Sequence, residues 1–153
     1  MTIAQAVLTR GAMAYTDEEL TDIYDRTSGY CHLCHKKLAF TNYGRFGERG
    51  AWEVEHSNAR RNGGTDRACN CFPACISCNR SKGAGSTRTA RAHNGRRRAP
   101  MNRTKRREAR ENNAFGGAAI GGFAGAILGP VGSIAGAAIG ARLAYKQNPD
   151  KAE

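Results

Sequence analysis

Two stretches decide how this chain folds: CHLC at residues 31–34 and CISCNRSKG at residues 75–83, with WEVEH at 52–56 between them. Each Cys-x-x-Cys pair, Cys31 with Cys34 and Cys75 with Cys78, can present two thiolates from one tight turn. Together they complete a tetrahedral four-sulfur site for Zn²⁺. Four protein ligands leave no open position, so the ion is expected to be structural. The pairs are 40 residues apart, and a clip across that interval supplies folding energy that a core of about fifty residues could not. Cys69 and Cys71 are left as unliganded thiols near the site, although spacing leaves open a swap of one for Cys75 or Cys78. His32 and His35 read as surface residues.

Working outward, Thr16 and Glu19 form a capping box ahead of Leu20, Ile23 and Tyr24, which predicts an amphipathic helix to about Arg26. Between Leu38 and Glu55 the aromatics Phe40, Tyr43, Phe46 and Trp52 are separated by Gly44, Gly47 and Gly50, the pattern of a glycine-turned β-hairpin. In its second strand Trp52 and Val54 would face a core, with Glu53 and Glu55 on the other face. Ile76 to Lys82 reads as a short helix stopped by Gly83. The expected class is α+β, a small ββα unit with structural zinc.

The chain has 153 residues, a formal net charge of +11 and a pI near 9.9. That length allows one ordinary domain, or a small one with appendages. The charge points to a polyanionic partner, nucleic acid or an anionic membrane surface. Met1 to Leu8 lacks the basic start and long apolar stretch of a secretory signal, so reduced thiols and a cytoplasmic location are expected.

The expected organisation is an N-terminal segment over 1–15, a compact domain over 16–85, a basic linker over 86–113, an apolar helical hairpin over 114–145 and a polar tail over 146–153. From Arg88 to Arg110 ten arginines and lysines face the single Glu108, an arm for salt-sensitive, sequence-independent attraction to phosphate. From Ala114 glycine recurs every fourth residue at Gly117, Gly121, Gly125 and Gly129, then at Gly132, Gly136 and Gly140. Small residues at that step let two helices approach closely, a glycine zipper. Pro130 divides the run, so the expected form is a tight hairpin in or on the inner face of a membrane, or a self-associating tail.

The run WEVEHS at 52–57, Gly63-Gly64, and NCFPACISCNRSKG at 70–83 resembles the HNH endonuclease motif, over roughly residues 24–83 and nothing beyond. The resemblance implies a metal-dependent nuclease that hydrolyses phosphodiester bonds in DNA, leaving 3′-hydroxyl and 5′-phosphate ends. By position it makes His56 the general base, since imidazole exchanges its proton near neutral pH. It makes Glu55 and Asn79 the ligands of one Mg²⁺ or Mn²⁺, which would stabilise charge on the scissile phosphate. Asn70 would fix the loop that orients His56. Glu55 stands where the family more often has Asp, and Ala59 where Pro is frequent.

Arg60, Arg61, Arg67, Arg80 and Lys82 flank the site and are candidates for contacts to DNA phosphates. Two other readings stay open: a non-catalytic zinc-ribbon DNA-binding protein, and a membrane-anchored protein with a basic binding head.

Overall fold

The computed structural model describes residues 15–151. The segment expected over 1–15 therefore lies outside the described residues except for Tyr15, as do the last two residues of the 146–153 tail. The protein is a mixed α and β chain with a two-stranded sheet and long C-terminal helices.

Helix α1 spans Asp17–Asp25. Its N-terminus is closed reciprocally: Glu19 N donates to Thr16 Oγ1 at 3.2 Å and Thr16 N donates to Glu19 Oε2 at 2.8 Å. Leu20 and Ile23 recur one helical turn apart and enter a core with Cys31, Leu33, Leu38, Trp52 and Val54.

Strand β1, Trp52–His56, touches the aromatic segment before it through an isolated parallel bridge, Tyr43 to Trp52, and not through a hairpin ladder. It pairs antiparallel with β2, Cys71–Cys75, in a register that sets Trp52 opposite Cys75 and His56 opposite Cys71. The expected hairpin over 38–55 is replaced by a coiled segment, because Gly44, Gly47 and Gly50 all take positive φ and turn the chain repeatedly. Its aromatics still find a common partner. The rings of Tyr24 and Tyr43 lie 5.4 and 5.0 Å from that of Trp52, whose Nε1 donates to Phe40 O at 3.2 Å.

Helix α2 covers Ile76–Lys82 and ends at Gly83, the range expected from its pattern, and completes a ββα unit. The segment read as a linker is largely helical. Helix α3 spans Thr87–His93, and α4 begins at Arg103 behind an Asn102 cap and runs unbroken to Gly125. Arginine and lysine are good helix formers, so the only strong interruptions are Gly95 and Pro100.

Helix α5, Gly129–Lys146, returns along α4 after a turn in which Gly129 takes φ +83°. Gly117, Gly121 and Gly125 meet the backbone of Gly140, Gly136 and Gly132, so near that a Cβ would overlap a carbonyl oxygen. The hairpin base is tied down by Arg106, whose guanidinium pairs with Asp150, donates to Asn148 Oδ1 at 2.9 Å and lies 4.4 Å over the Tyr30 ring.

Candidate nuclease site

The four cysteines of the two Cys-x-x-Cys pairs come together with all sulfurs within 4.8 Å of one another. Cys34 Sγ and Cys75 Sγ are 3.8 Å apart. Zinc–sulfur bonds of about 2.3 Å at tetrahedral angles place sulfurs ~3.8 Å apart, so this donor set fits a structural zinc. Contacts with Cys34 and Cys75 push Cys31 up, while the contact with Cys31 draws Cys34 down to about 7. Of the two spare cysteines, Cys69 is exposed and Cys71 is buried on β2.

Behind the sheet lies a buried polar network that the sequence reading missed. Glu55 is 1% exposed, with Oε1 2.6 Å from Lys82 Nζ and Oε2 2.6 Å from His32 Nε2. Arg91 on α3 donates from Nε to His32 O at 2.9 Å and approaches His32 Nδ1 at 3.1 Å. Because guanidinium only donates, Nδ1 accepts and the imidazole hydrogen sits on Nε2, facing Glu55. That last contact is close but off the N–H axis, an electrostatic approach and not an aligned hydrogen bond.

Burial raises the Glu55 carboxyl, but His32 and Lys82 outweigh it and hold the group below the ordinary carboxylate range. Burial pushes His32 down against the opposing pull of Glu55.

Three expectations change here. His32 is in the core, not on the surface, because α3 and β2 close over it; its backbone N donates to Pro73 O at 3.0 Å. Lys82 does not reach solvent phosphate, since its ammonium is consumed by Glu55 and by His56 O at 3.0 Å. Glu55 and Asn79 are held by different partners. Asn79 Nδ2 donates to Glu53 Oε2 at 3.1 Å, while a cation on Glu55 would have to displace the Lys82 ammonium. The pair as arranged does not fit a hard divalent ion.

Removing one member of the buried pair should be costly. Glu55→Gln leaves Lys82 charged and unpaired, and a loss of about 3–5 kcal/mol is expected from urea unfolding. Loss under 1 kcal/mol would contradict it. The acid response follows from the same groups. Both His32 and Glu55 titrate below their ordinary values when folded, so their contribution is complete above pH ~6.5 and declines as His32 and then Glu55 are protonated. The melting temperature should fall steadily from pH 7 to pH 4. A flat profile would exclude the network as a source of stability.

His56 ends β1 on the opposite side from Glu55. Its Nε2 lies 2.6 Å from Asp66 Oδ1, which also accepts from Arg60 Nε at 2.9 Å and Nη2 at 2.5 Å. Arg60 first, and His56 second, hold the Asp66 carboxyl below its ordinary range. An ionised carboxylate only accepts, so His56 carries a hydrogen on Nε2, and in the neutral ring Nδ1 is then the nitrogen with the lone pair. Cys71 Sγ stands 3.9 Å from Nε2, and Tyr15 OH 3.5 Å from Asp66 Oδ1.

Asn70 pins the loop that carries Asp66 back to His56. Its side chain accepts from Asn58 N at 2.7 Å and donates to Asn58 O at 3.0 Å and Thr65 O at 2.8 Å. Gly64 is required in that loop, since a Cβ would collide with Asn58 O. Arg60, Arg61 and Arg67 are exposed around it; Arg80 is exposed on α2, 3.6 Å from Glu53. Asp66 could not be picked out from sequence, because only the loop's return places it beside a histidine ten residues earlier.

No curated protein and no solved structure matches the chain. Residues 31–85, a little over a third of the chain, match the model of the HNH endonuclease family.

Proposed function

We propose that the chain hydrolyses phosphodiester bonds in DNA with His56 as general base. The carrying observation is the imidazole at the end of β1, its Nε2 held by Asp66 and Nδ1 left to accept, inside the segment that matches the nuclease family. In this reading Nδ1 takes a proton from water, the resulting hydroxide attacks phosphorus, and the bond from phosphorus to the 3′ oxygen breaks. Arg61 and Arg67 line the exposed side and would neutralise the flanking phosphates, while the Arg60 guanidinium is paired with Asp66. No step is assigned to a cation on Glu55 and Asn79, since those side chains are held by different partners.

Supercoiled plasmid incubated with the purified chain, with Mg²⁺, with Mn²⁺ and with neither, tests the reading. Nicked and linear products are expected; intact plasmid under all three conditions would overturn it. Asp66→Asn separates positioning from chemistry. The amide no longer enforces the Nε2–H tautomer, so the turnover rate should fall roughly 10²-fold with DNA affinity changed little. A fall in affinity with turnover unchanged would assign Asp66 to binding.

A further inference from the structure

The α4–α5 pair is built inside out for a water-soluble hairpin. Glycines fill the seam, and Phe115, Ile120, Phe123, Ile127, Leu128 and Ile134 are each at least 74% exposed. Soluble monomers rarely leave contiguous apolar patches larger than a few hundred Å² open. These side chains belong to both helices and to the turn between them, so they surround the hairpin and do not form one flat face. An environment that encloses the element suits them better than a partner docked on one side.

Charge says which environment. No charged residue occurs between Glu111 and Arg142, and one stretch of Arg103–Lys146 is apolar enough by composition to enter a membrane, with none of it buried. At the base the sign is positive. A cleft of about 580 Å³ beside α4 is lined by Lys37, Arg103, Arg106, Arg107 and Arg110; Asp25 pairs with Arg103, Asp150 with Arg106 and Glu111 with Arg107, so Lys37 and Arg110 bring the excess charge. Tyr145 lines the same cleft, an aromatic of the kind enriched where hydrocarbon meets headgroups. An anionic lipid headgroup matches the base and an acyl interior matches the tip.

Length limits how far the element can go. Leu128 at the tip and Arg142 are fourteen residues apart, about 21 Å of helix, against a hydrocarbon core of about 30 Å.

We propose that the α4–α5 hairpin enters an anionic bilayer tip first and stops before crossing it, with lipid phosphate seated in the basic cleft at its base. The proposal does not depend on the nuclease reading, because none of its residues lies in the His56 site.

The full chain is floated with vesicles of phosphatidylglycerol and phosphatidylcholine, and with phosphatidylcholine alone. Co-flotation with the anionic vesicles is expected, at least tenfold stronger than with the neutral ones; equal binding to both would overturn the headgroup site. Trp52 is the only native tryptophan and is buried, so Phe123→Trp reports the tip. Its emission should shift to the blue and be quenched by lipids brominated on their acyl chains. An unshifted, unquenched emission from bound protein would place the hairpin on the surface and defeat insertion.

Phe123→Asp, at a position 87% exposed, should leave folding and plasmid cleavage intact while weakening partition about 10²-fold. Partition equal to that of the unsubstituted chain would defeat the proposal. So would a chain that sediments as a stable oligomer and leaves the vesicles unbound, since a second copy would then cover these side chains.

Discussion

Replacing His56 by alanine is expected to lower plasmid cleavage about 10³-fold, the usual magnitude for losing a positioned general base. The fold should survive. His56 is the last residue of β1, and its side chain contacts Asp66 and Cys71 at the rim and not the packed core around Trp52. DNA affinity should change less than threefold, because the exposed Arg61 and Arg67 proposed for phosphate contact are untouched. This combination, lost turnover with retained binding, separates a nuclease from a zinc-ribbon binding protein. Cleavage by the alanine variant at the original rate would remove His56 from the mechanism. A parallel loss of binding and near-ultraviolet dichroism would assign the residue to folding.

The second large effect concerns the four-cysteine clip. One zinc per chain is expected by metal analysis, and its removal by a strong chelator, or Cys31→Ser, should unfold the module packed around the cysteine cluster. Cys31 is fully buried in the core cluster with Leu33, Leu38 and Trp52. Structural zinc contributes apparent binding energies of ~10–16 kcal/mol in small domains. That is as large as the whole stability of an ordinary domain, about 5–15 kcal/mol.

The near-ultraviolet signal of Trp52 should therefore collapse. Helical dichroism from α4 and α5 should largely persist, because those helices pack on each other through their own glycines. Cys69→Ser is the control: the thiol is exposed and outside the cluster, so melting should shift little. A chelated protein that keeps its Trp52 signal and melting temperature would show that the clip is not structural.

How much of this was legible depends on distance along the chain. The Thr16–Glu19 box, helix α2 and its stop at Gly83 are set by contacts within four residues, and the pattern shows them directly. The cysteine pairs were legible because a metal site needs fixed ligand types at fixed local spacing. The change of composition at 113/114 is likewise visible in the sequence, but helix α4 runs across it without a break.

What failed was long-range. Alternation reports that a strand exists and not which strand pairs with it, so the ladder between β1 and β2 does not show in the pattern. The family resemblance implies an open ligand at Glu55, and strand alternation puts it beside Glu53, away from Trp52. Only the packing of α2 and of the Cys31–Cys34 turn against that face buries it between Lys82 and His32.

Taken alone, the residues indicate a small α and β module with a four-cysteine cluster compatible with zinc, a strongly basic composition and an apolar tail with glycine at every fourth position, since each follows from short-range geometry or from composition. Which side chains act together was decided by the tertiary structure. Asp66 reaches His56 only after Asn70 folds the loop back, and Lys82 leaves the solvent only when its helix docks on the sheet. Hydrogen bonds and ion pairs operate over about 3 Å, and no local pattern can place atoms that closely across separate elements.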